Sequence, residues 1–130
     1  MNCNGIIVND IVQIVTQERA EVTVQGVRLL QFRPERVVTR KILSYSQNLM
    51  TVELSFPKGA TGAKHSHPHE QIGYIISGSL IYQEEGQEDK VLHTGDTYYV
   101  APNVVHGVEI LEDTMLLDIF TPMREDFIQK

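Results

Sequence analysis

The sequence predicts an all-β domain, a jelly roll or small barrel of antiparallel strands. Apolar and polar residues alternate in short runs along most of the chain, as in NLMTVELSF at 48–56. Turn-forming segments separate the runs, including PKGATG at 57–62 and EEGQED at 84–89. Helix signals are weak and confined to a segment at 10–17 and another after Pro122. Many short strands with few helices are typical of closed antiparallel folds.

A chain of 130 residues has the size of a single domain. We expect residues 1–20 to form an N-terminal arm or short helix, residues 21–122 the barrel and residues 123–130 a C-terminal tail. Besides the run at 48–56, strands are predicted at 22–32, 36–43, 71–77, 80–83, 90–93, 97–100, 104–111 and 115–120. The mouth of such a barrel is the expected place for a ligand.

The charge balance disfavours nucleic acid as a partner. The chain carries 17 acidic and 11 basic residues, a formal charge of −6, whereas phosphate binding depends on clustered Lys and Arg. The basic stretch RPERVVTRK at 33–41 alternates with apolar residues, and we interpret it as the solvated face of a strand. An anionic small-molecule ligand would therefore need positive charge supplied locally, by a metal ion and one or two arginines.

Cysteine use and hydropathy favour a cytoplasmic protein that does not enter membranes. Cys3 is the only cysteine, so no intrachain disulfide can form. The first fifteen residues lack the basic n-region and the cleavage site of a signal peptide, and Asn9 and Asp10 interrupt them. No stretch approaches the roughly 18 uninterrupted apolar residues that a membrane span requires.

A histidine-rich segment and a remote histidine supply candidate metal ligands. His65 and His67 are two residues apart, so on an extended strand their imidazoles project to the same side and can reach one ion. Gln71 follows with a neutral amide oxygen. His106 lies far along the chain among valines, which suit a strand that returns through the same pocket. These four residues are the predicted ligands.

The spacing of these residues resembles that of the cupin superfamily. The first cupin motif consists of Gly, five residues, His-x-His, three or four residues, Glu, six residues and Gly. Here it falls on Gly59, His65, His67, Gln71 and Gly78, with glutamine in place of the usual glutamate. The resemblance implies a double-stranded β-helix, a jelly-roll barrel, with the metal ligands inside it.

The second cupin motif is recognisable between Gly95 and His106. Three positions depart from its pattern, which has Pro, Gly and Asn where this chain has Ala101, Asn103 and Ile110. Together with the strand pattern, the resemblance covers residues 45–120, which is most of the chain.

Neighbouring polar residues compete with the predicted ligands. His69 has the parity of the two strand histidines, but the motif spacing favours Gln71, so we assign His69 to the rim of the pocket. Glu70 would be a better anionic ligand, yet its spacing to the next motif glycine is off by one residue. His93 precedes a turn, and we expect a structural role for it.

Three histidines and one glutamine would leave the dipositive charge of an ion uncompensated. Such an ion is a stronger Lewis acid, and attracts anions better, than an ion with a carboxylate ligand. We expect one divalent transition metal as the cofactor, namely Zn, Ni, Mn, Co or Fe, among which the spacing does not choose.

The strand in TMLLDIFTPMREDF at 114–127 carries a second set of candidate residues. Asp118 interrupts an apolar run, which is unfavourable unless the carboxylate is paired or faces a wet pocket. One interpretation buries Asp118 in the core with an arginine partner. In the functional interpretation, Asp118 faces the metal cavity as an acid/base group, Phe120 provides a flat wall and Arg124 clamps a substrate carboxylate.

The stretches HSHPHEQIGYIISG and DIFTPMREDF are similar to those of small cupins of the KdgF type. That family opens the ring of unsaturated monouronates released from pectin or alginate and yields the linear keto sugar acid. The resemblance implies that the metal is held by His65, His67, Gln71 and His106. It implies that substrate binding and catalysis involve Asp118, Phe120 and Arg124.

We therefore expect a metal-dependent isomerase or lyase-like enzyme that acts on a small anionic carbohydrate. Two alternatives stay open: a non-haem iron dioxygenase, since iron with three histidines and open positions can activate oxygen, and a non-catalytic module that binds sugar acids.

A homodimer is also expected, through an exchanged N-terminal segment or through the barrel sheet. An inward Gln71 would leave Ile72, Tyr74 and Ile76 facing outward, and so apolar a surface usually meets another layer.

Overall fold

The computed structural model describes residues 6–7, 11–14, 19–24, 27–32 and 38–128, and the side chains of 38–128. These residues form thirteen strands and one short helix. The elements are β1 (Ile6–Ile7), β2 (Ile11–Ile14), β3 (Arg19–Val24), β4 (Val27–Phe32), β5 (Val38–Tyr45), β6 (Met50–Phe56), β7 (Thr61–His65), β8 (Glu70–Ser77), β9 (Ser79–Glu84), β10 (Lys90–His93), β11 (Thr97–Val100), β12 (His106–Ile110), β13 (Thr114–Thr121) and α1 (Glu125–Ile128). Across those ranges, no helix has the length and hydropathy needed to cross a membrane.

Two antiparallel sheets form the barrel. The larger sheet has the strand order β1-β5-β6-β13-β8-β11, with β2 also paired to β5. The smaller sheet has the order β10-β9-β12-β7, and β3 and β4 form a separate hairpin. Strands that are neighbours in the sheets are often distant in sequence, so the chain passes repeatedly from one sheet to the other. This is the jelly-roll arrangement predicted from the sequence, and the all-β prediction is confirmed.

The core lies between the inner faces of the two sheets. In β8 and β13, buried and more exposed residues alternate, as a half-buried strand requires. Side chains of both sheets join one apolar cluster, in which Ile75 and Leu116 of the larger sheet meet Leu80 and Ile110 of the smaller one. A second cluster around Met50 lies at the end of the barrel where α1 packs. Leu116 of the first cluster and Phe120 of the second line the cavity that is described below.

The sequence prediction differs from the structure in three places. The run predicted as one strand at 22–32 falls on two antiparallel strands, β3 and β4, which pair from Arg19 with Phe32 to Val24 with Val27. Within the segment at 10–17 that carried a weak helix signal, residues 11–14 form strand β2, which pairs with β5, and the rest of the segment lies outside the described residues. Strand β7 begins within the segment at 57–62 that was predicted as a turn, and it ends at His65, on the extended segment expected for the histidine pair. The helix signal after Pro122 corresponds to α1.

The connection between β8 and β9 turns the chain sharply from one sheet to the other at Gly78. This glycine has a φ of +101°, and a Cβ added there would lie 2.5 Å from the carbonyl oxygen of Asp113. Both constraints exclude larger residues. Thr114 holds the turn from the opposite side, because its hydroxyl donates to the Ser79 carbonyl at 3.1 Å and accepts from the Ser79 amide at 3.2 Å.

Candidate metal centre

Three histidines from two separate parts of the chain converge on one point, where His67 and His106 are buried and His65 is exposed. His65 ends β7, His67 follows it, and His106 begins β12 as the register partner of His65. One ring nitrogen from each histidine lies within 4.8 Å of the other two, and the ring centroids are 4.6 to 5.5 Å apart. The predicted convergence of these residues on one point is therefore present in the fold.

Backbone carbonyls fix the tautomer of all three histidines. A carbonyl oxygen only accepts, so the Nδ1 atom facing it carries the proton and the Nε2 atom keeps its lone pair. The Nδ1 distances are 2.8 Å from His65 to Ala63, 3.0 Å from His67 to His69 and 2.9 Å from His106 to Val104. Burial lowers the pKa of His67 and of His106, so both rings are neutral near pH 7. Oriented, neutral imidazoles of this kind are suited to ligate a metal ion.

Gln71, on the inner face of β8, completes the predicted set. Its Oε1 atom lies 2.9 Å from Nε2 of His67, and the side chain is buried. Both atoms are acceptors when the His67 proton is on Nδ1, so they repel each other unless a cation lies close to both. The amide of Gln71 also hydrogen-bonds Asp118, which turns its oxygen toward the histidines. Three imidazole nitrogens and one amide oxygen therefore fit a divalent transition metal.

Asp118 lies beside this group, at the middle of β13. It lines a cavity of about 180 Å³ together with His65, Gln71 and His106, and only 4% of its surface is exposed. Burial raises the pKa of Asp118 to about 6, against the opposing effects of hydrogen bonds from Gln71 and Tyr98 and of the Arg124 charge. An ionisable group with such a pKa can both accept and donate a proton near neutral pH.

Phe120 and Arg124 form the wall of the same cavity. The Phe120 ring is buried and meets the His67 ring edge-on, with 5.8 Å between centroids. The guanidinium of Arg124 lies 5.1 Å from the Phe120 centroid and 4.3 Å from that of Phe127 in α1. Its Nε and Nη2 atoms donate to the two carboxylate oxygens of Asp126 at 3.0 and 2.8 Å. The sequence did not reveal this ion pair, which occupies one edge of the predicted clamp.

The rival residues lie outside the cluster. The Nε2 atom of His69 lies 3.2 Å from the carbonyl oxygen of Met123, and His69 is not among the residues that line the cavity described above. Glu70 is exposed and accepts a hydrogen bond from the hydroxyl of Tyr99. His93 is at the end of β10, where its backbone amide donates to Asp96 at 2.8 Å in the following turn. None of the three side chains joins the group of converging nitrogens among residues 38–128.

Tyr98 is a residue of the site that sequence reasoning missed. It is 9% exposed, its hydroxyl donates to Oδ1 of Asp118 at 3.2 Å, and its ring stacks on Tyr82 with centroids 4.6 Å apart. The only signal in the sequence was its parity with Val100, which places both side chains on the inner face of β11.

Arg40 was also missed, and here the prediction was wrong. Residues 33–37 of the basic stretch interpreted as a solvated strand face lie outside the described part of the chain, but Arg40 is half-buried on the inner face of β5, between the buried residues Val38 and Ile42. Parity with these two apolar residues was the available signal, and Lys41 takes the outward position next to Glu53.

Comparison with known proteins identifies relatives of this chain. Residues 52–120 match the family model described as a cupin domain. The pectin degradation protein KdgF of Dickeya dadantii (strain 3937) is 44% identical over 93 residues, which are 70% of this chain and 84% of that protein.

Solved structures give the same result. KdgF from Halomonas sp. is 36% identical with a TM-score of 0.67, over 73% of this chain and 87% of that one. An RmlC-like cupin from Shewanella frigidimarina NCIMB 400 is 34% identical with a TM-score of 0.67, over 86% of this chain and 99% of that one. From its sequence, its fold and the position of its histidines, the chain belongs to the cupin family, as a member similar to KdgF.

Proposed function

We propose that this cupin is a metal-dependent isomerase that opens the ring of an unsaturated uronate to its linear keto form. The observation that carries the proposal is the location of Asp118, whose buried carboxyl lines the same cavity as His65, Gln71 and His106. The similarity to a pectin degradation protein supports a sugar acid from pectin as the substrate class.

Asp118 would move one proton in this reaction. It takes the proton of the anomeric hydroxyl, and the bond between the anomeric carbon and the ring oxygen breaks to leave an aldehyde. The electron pair stays on the former ring oxygen as an enolate of the neighbouring double bond. Return of the same proton to the far carbon of that double bond gives the ketone. Substrate and product have the same atoms, so no co-reactant is needed, and the pKa of about 6 suits both transfers.

The residues that would hold the ion are His65, His67, Gln71 and His106. When bound, a divalent ion with these neutral ligands supplies positive charge for polarising a ring or hydroxyl oxygen of the sugar. Gln71 has a second task, since its amide donates to Asp118 and so links the ligand set to the proton-transferring carboxyl.

The cavity walls favour a small anionic sugar. The cavity of about 180 Å³ is smaller than the roughly 300–1,000 Å³ of typical ligand pockets, which favours a monosaccharide over an oligosaccharide. Arg124 supplies positive charge for the carboxylate of the sugar, and Phe120 supplies the flat surface against which a ring can lie.

A homodimer through the larger sheet is part of the proposal. Ile72, Tyr74 and Ile76 are 44%, 40% and 36% exposed on the outer face of β8. Tyr99, 51% exposed, and Ile119 are the register partners of Ile72 in the neighbouring strands, which extends the apolar surface across three strands. A second copy of the chain would cover this surface.

The test is consumption of unsaturated galacturonate, followed by loss of ultraviolet absorbance of its double bond and by mass-balanced detection of the keto product. Metal-loaded wild-type protein should accelerate the decay, and Asp118→Asn should remove most of the rate while it keeps its metal. Equal decay with and without the wild-type protein would exclude this function. Oxygen uptake during turnover would favour an iron dioxygenase instead, and tight binding of the sugar acid without turnover would favour a binding module.

A further inference from the structure

Arg40 is a cation on the inner side of the barrel. Its neighbours on the same face of β5, Val38 and Ile42, are buried, and its register partner in β6 is Leu54, a residue of the cavity wall. Its guanidinium lies 3.8 Å from the centroid of the Phe127 ring, and Phe127 lines the cavity as well. Arg40 therefore packs against one residue of the cavity lining, Phe127, and is paired in register with another, Leu54.

The two arginines of this region differ in how their charges are matched. Arg124 is held edge-on by both carboxylate oxygens of Asp126. Among residues 38–128, the Nε atom of Arg40 is buried without a hydrogen-bond partner. Burial lowers the pKa of Arg40, and the nearby Arg124 charge acts in the same direction, while Asp126 opposes them. A guanidinium in such a position is suited to an anion that arrives with a ligand.

We propose that Arg40 binds the anionic group of the sugar acid at the rim of the metal cavity, where its guanidinium and that of Arg124 lie against the same Phe127 ring. The ligand class is a monosaccharide carboxylate, and the inference rests on the proposed function for the kind of sugar. Asp126 offsets one of the two arginine charges, so the pair has room for one further negative charge. Arg40 then acts as a specificity-determining residue that separates acidic from neutral sugars.

Binding of a sugar that does not react tests this role apart from turnover. The probes are galacturonate and galactose, which differ in the carboxylate, with affinity measured by isothermal titration calorimetry on metal-loaded protein. Arg40→Met keeps the apolar stem and removes the charge. We expect it to weaken galacturonate binding at least tenfold and to leave galactose binding and metal content unchanged.

Lys41→Met is the matched control, because Lys41 is the next residue, carries the same charge and faces outward beside Glu53. It should bind galacturonate within about twofold of wild type. If the two variants bind galacturonate equally well, Arg40 acts only through the general field of the protein and the proposal is wrong. Arg40→Gln carries the same expectation if the methionine variant does not fold, since glutamine also removes the charge but keeps a polar amide.

A crystal structure of the wild-type protein with galacturonate provides a second, variant-free test. The sugar carboxylate should lie within about 3.2 Å of a guanidinium nitrogen of Arg40. A carboxylate that contacts Arg124 alone, or only the metal, would overturn the proposal. Failure of the proposed function would appear differently, as wild-type protein that binds galacturonate at Arg40 but does not consume the unsaturated sugar.

Discussion

The hydroxyl of Tyr98 reaches Oδ1 of Asp118, at 3.2 Å, across a strand that separates them. Tyr98 is in β11 and Asp118 in β13, and both have Gly73 of β8 as their register partner. A Cβ at Gly73 would overlap Cζ of Tyr98. The Tyr98 ring therefore occupies the space that a side chain at position 73 would need. Because Gly73 has no side chain, the Tyr98 hydroxyl can reach and orient the carboxyl of Asp118.

Removal of the Tyr98 hydroxyl should lower kcat and spare binding. A hydrogen bond to an ionisable group contributes about 1.5–3 kcal/mol, so Tyr98→Phe should reduce kcat roughly 10- to 100-fold with little change in KM or metal content. Steady-state kinetics and elemental analysis measure the three quantities. Tyr82→Phe is the control, because the Tyr82 hydroxyl donates to Glu84 instead. An unchanged kcat in Tyr98→Phe would show that the tyrosine only fills space.

Gly73→Ala should destabilise the fold through the same contact. The added methyl group overlaps the Tyr98 ring, and overpacking of this kind costs about 1–3 kcal/mol. The free energy of unfolding in urea measures the loss. In a Tyr98→Ala background the same glycine substitution should cost much less, because the overlapping ring is gone. Equal losses in both backgrounds would place the strain elsewhere in the sheet.

The barrel and the ligand set could be predicted because their signals are local. Alternation within single strands predicts which residues face inward, and a His-x-His pair on an extended segment projects both rings to one side. Known spacing then connects this pair to His106, 39 positions further along. The site residues found in this way are those that residue type, strand parity and motif spacing identify without knowledge of tertiary contacts.

The contacts of the site could not be predicted because they depend on register between distant strands. Nothing in the sequence pairs Tyr98 with Asp118, since their contact requires β11, β8 and β13 to be neighbours in a particular alignment. The ion pair of Arg124 with Asp126 depends on the short turn into α1. The position of Arg40 was wrongly predicted because charged residues are usually assigned to the solvent face of a strand. Its contact with Phe127 depends on tertiary packing, which the sequence pattern does not show.

Gln71→Glu should lower kcat and strengthen metal binding. A carboxylate ligand is anionic, so the metal should bind more tightly. The new side chain cannot donate to Asp118 and places a negative charge beside it, which raises the pKa of Asp118 further. We expect kcat to fall tenfold or more at pH 7, while chelator competition shows stronger metal retention. Gln87→Glu makes the same chemical change at the exposed hairpin tip and should alter neither quantity. A Gln71→Glu variant with full activity would contradict the role given to the amide.

Asp118→Asn should stabilise the metal-free protein at neutral pH. The pKa of Asp118 is about 6 in the fold against an ordinary value of 3.8, so its contribution to stability is fully present below about pH 4 and is lost as the pH rises through 6. Asparagine does not ionise, and its advantage should grow from near zero at pH 4 to about 3 kcal/mol at pH 7.5. Urea unfolding of chelator-treated protein at the two pH values measures this difference. A constant difference between Asp118→Asn and wild type across this range would mean that the carboxyl of Asp118 titrates normally.

Asp126→Asn should show the opposite dependence. Its hydrogen bonds from Arg124 lower the pKa of Asp126, so it stabilises the fold above its ordinary pKa and loses that effect as the pH falls. The asparagine variant should therefore be less stable than wild type at pH 7.5 and closer to it in acid.

Ile72→Glu should convert a dimer into a monomer. Ile72 lies between Tyr99 and Ile119 on the outer face of the larger sheet, so a charge there would be buried at the centre of the proposed interface. Light scattering after size-exclusion chromatography should give about twice the 14.7 kDa chain mass for wild type and the single-chain mass for the variant. Val91→Glu is the control, since Val91 is 54% exposed on the smaller sheet. Its mass should match wild type, and a dimer that survives Ile72→Glu would place the interface on another surface.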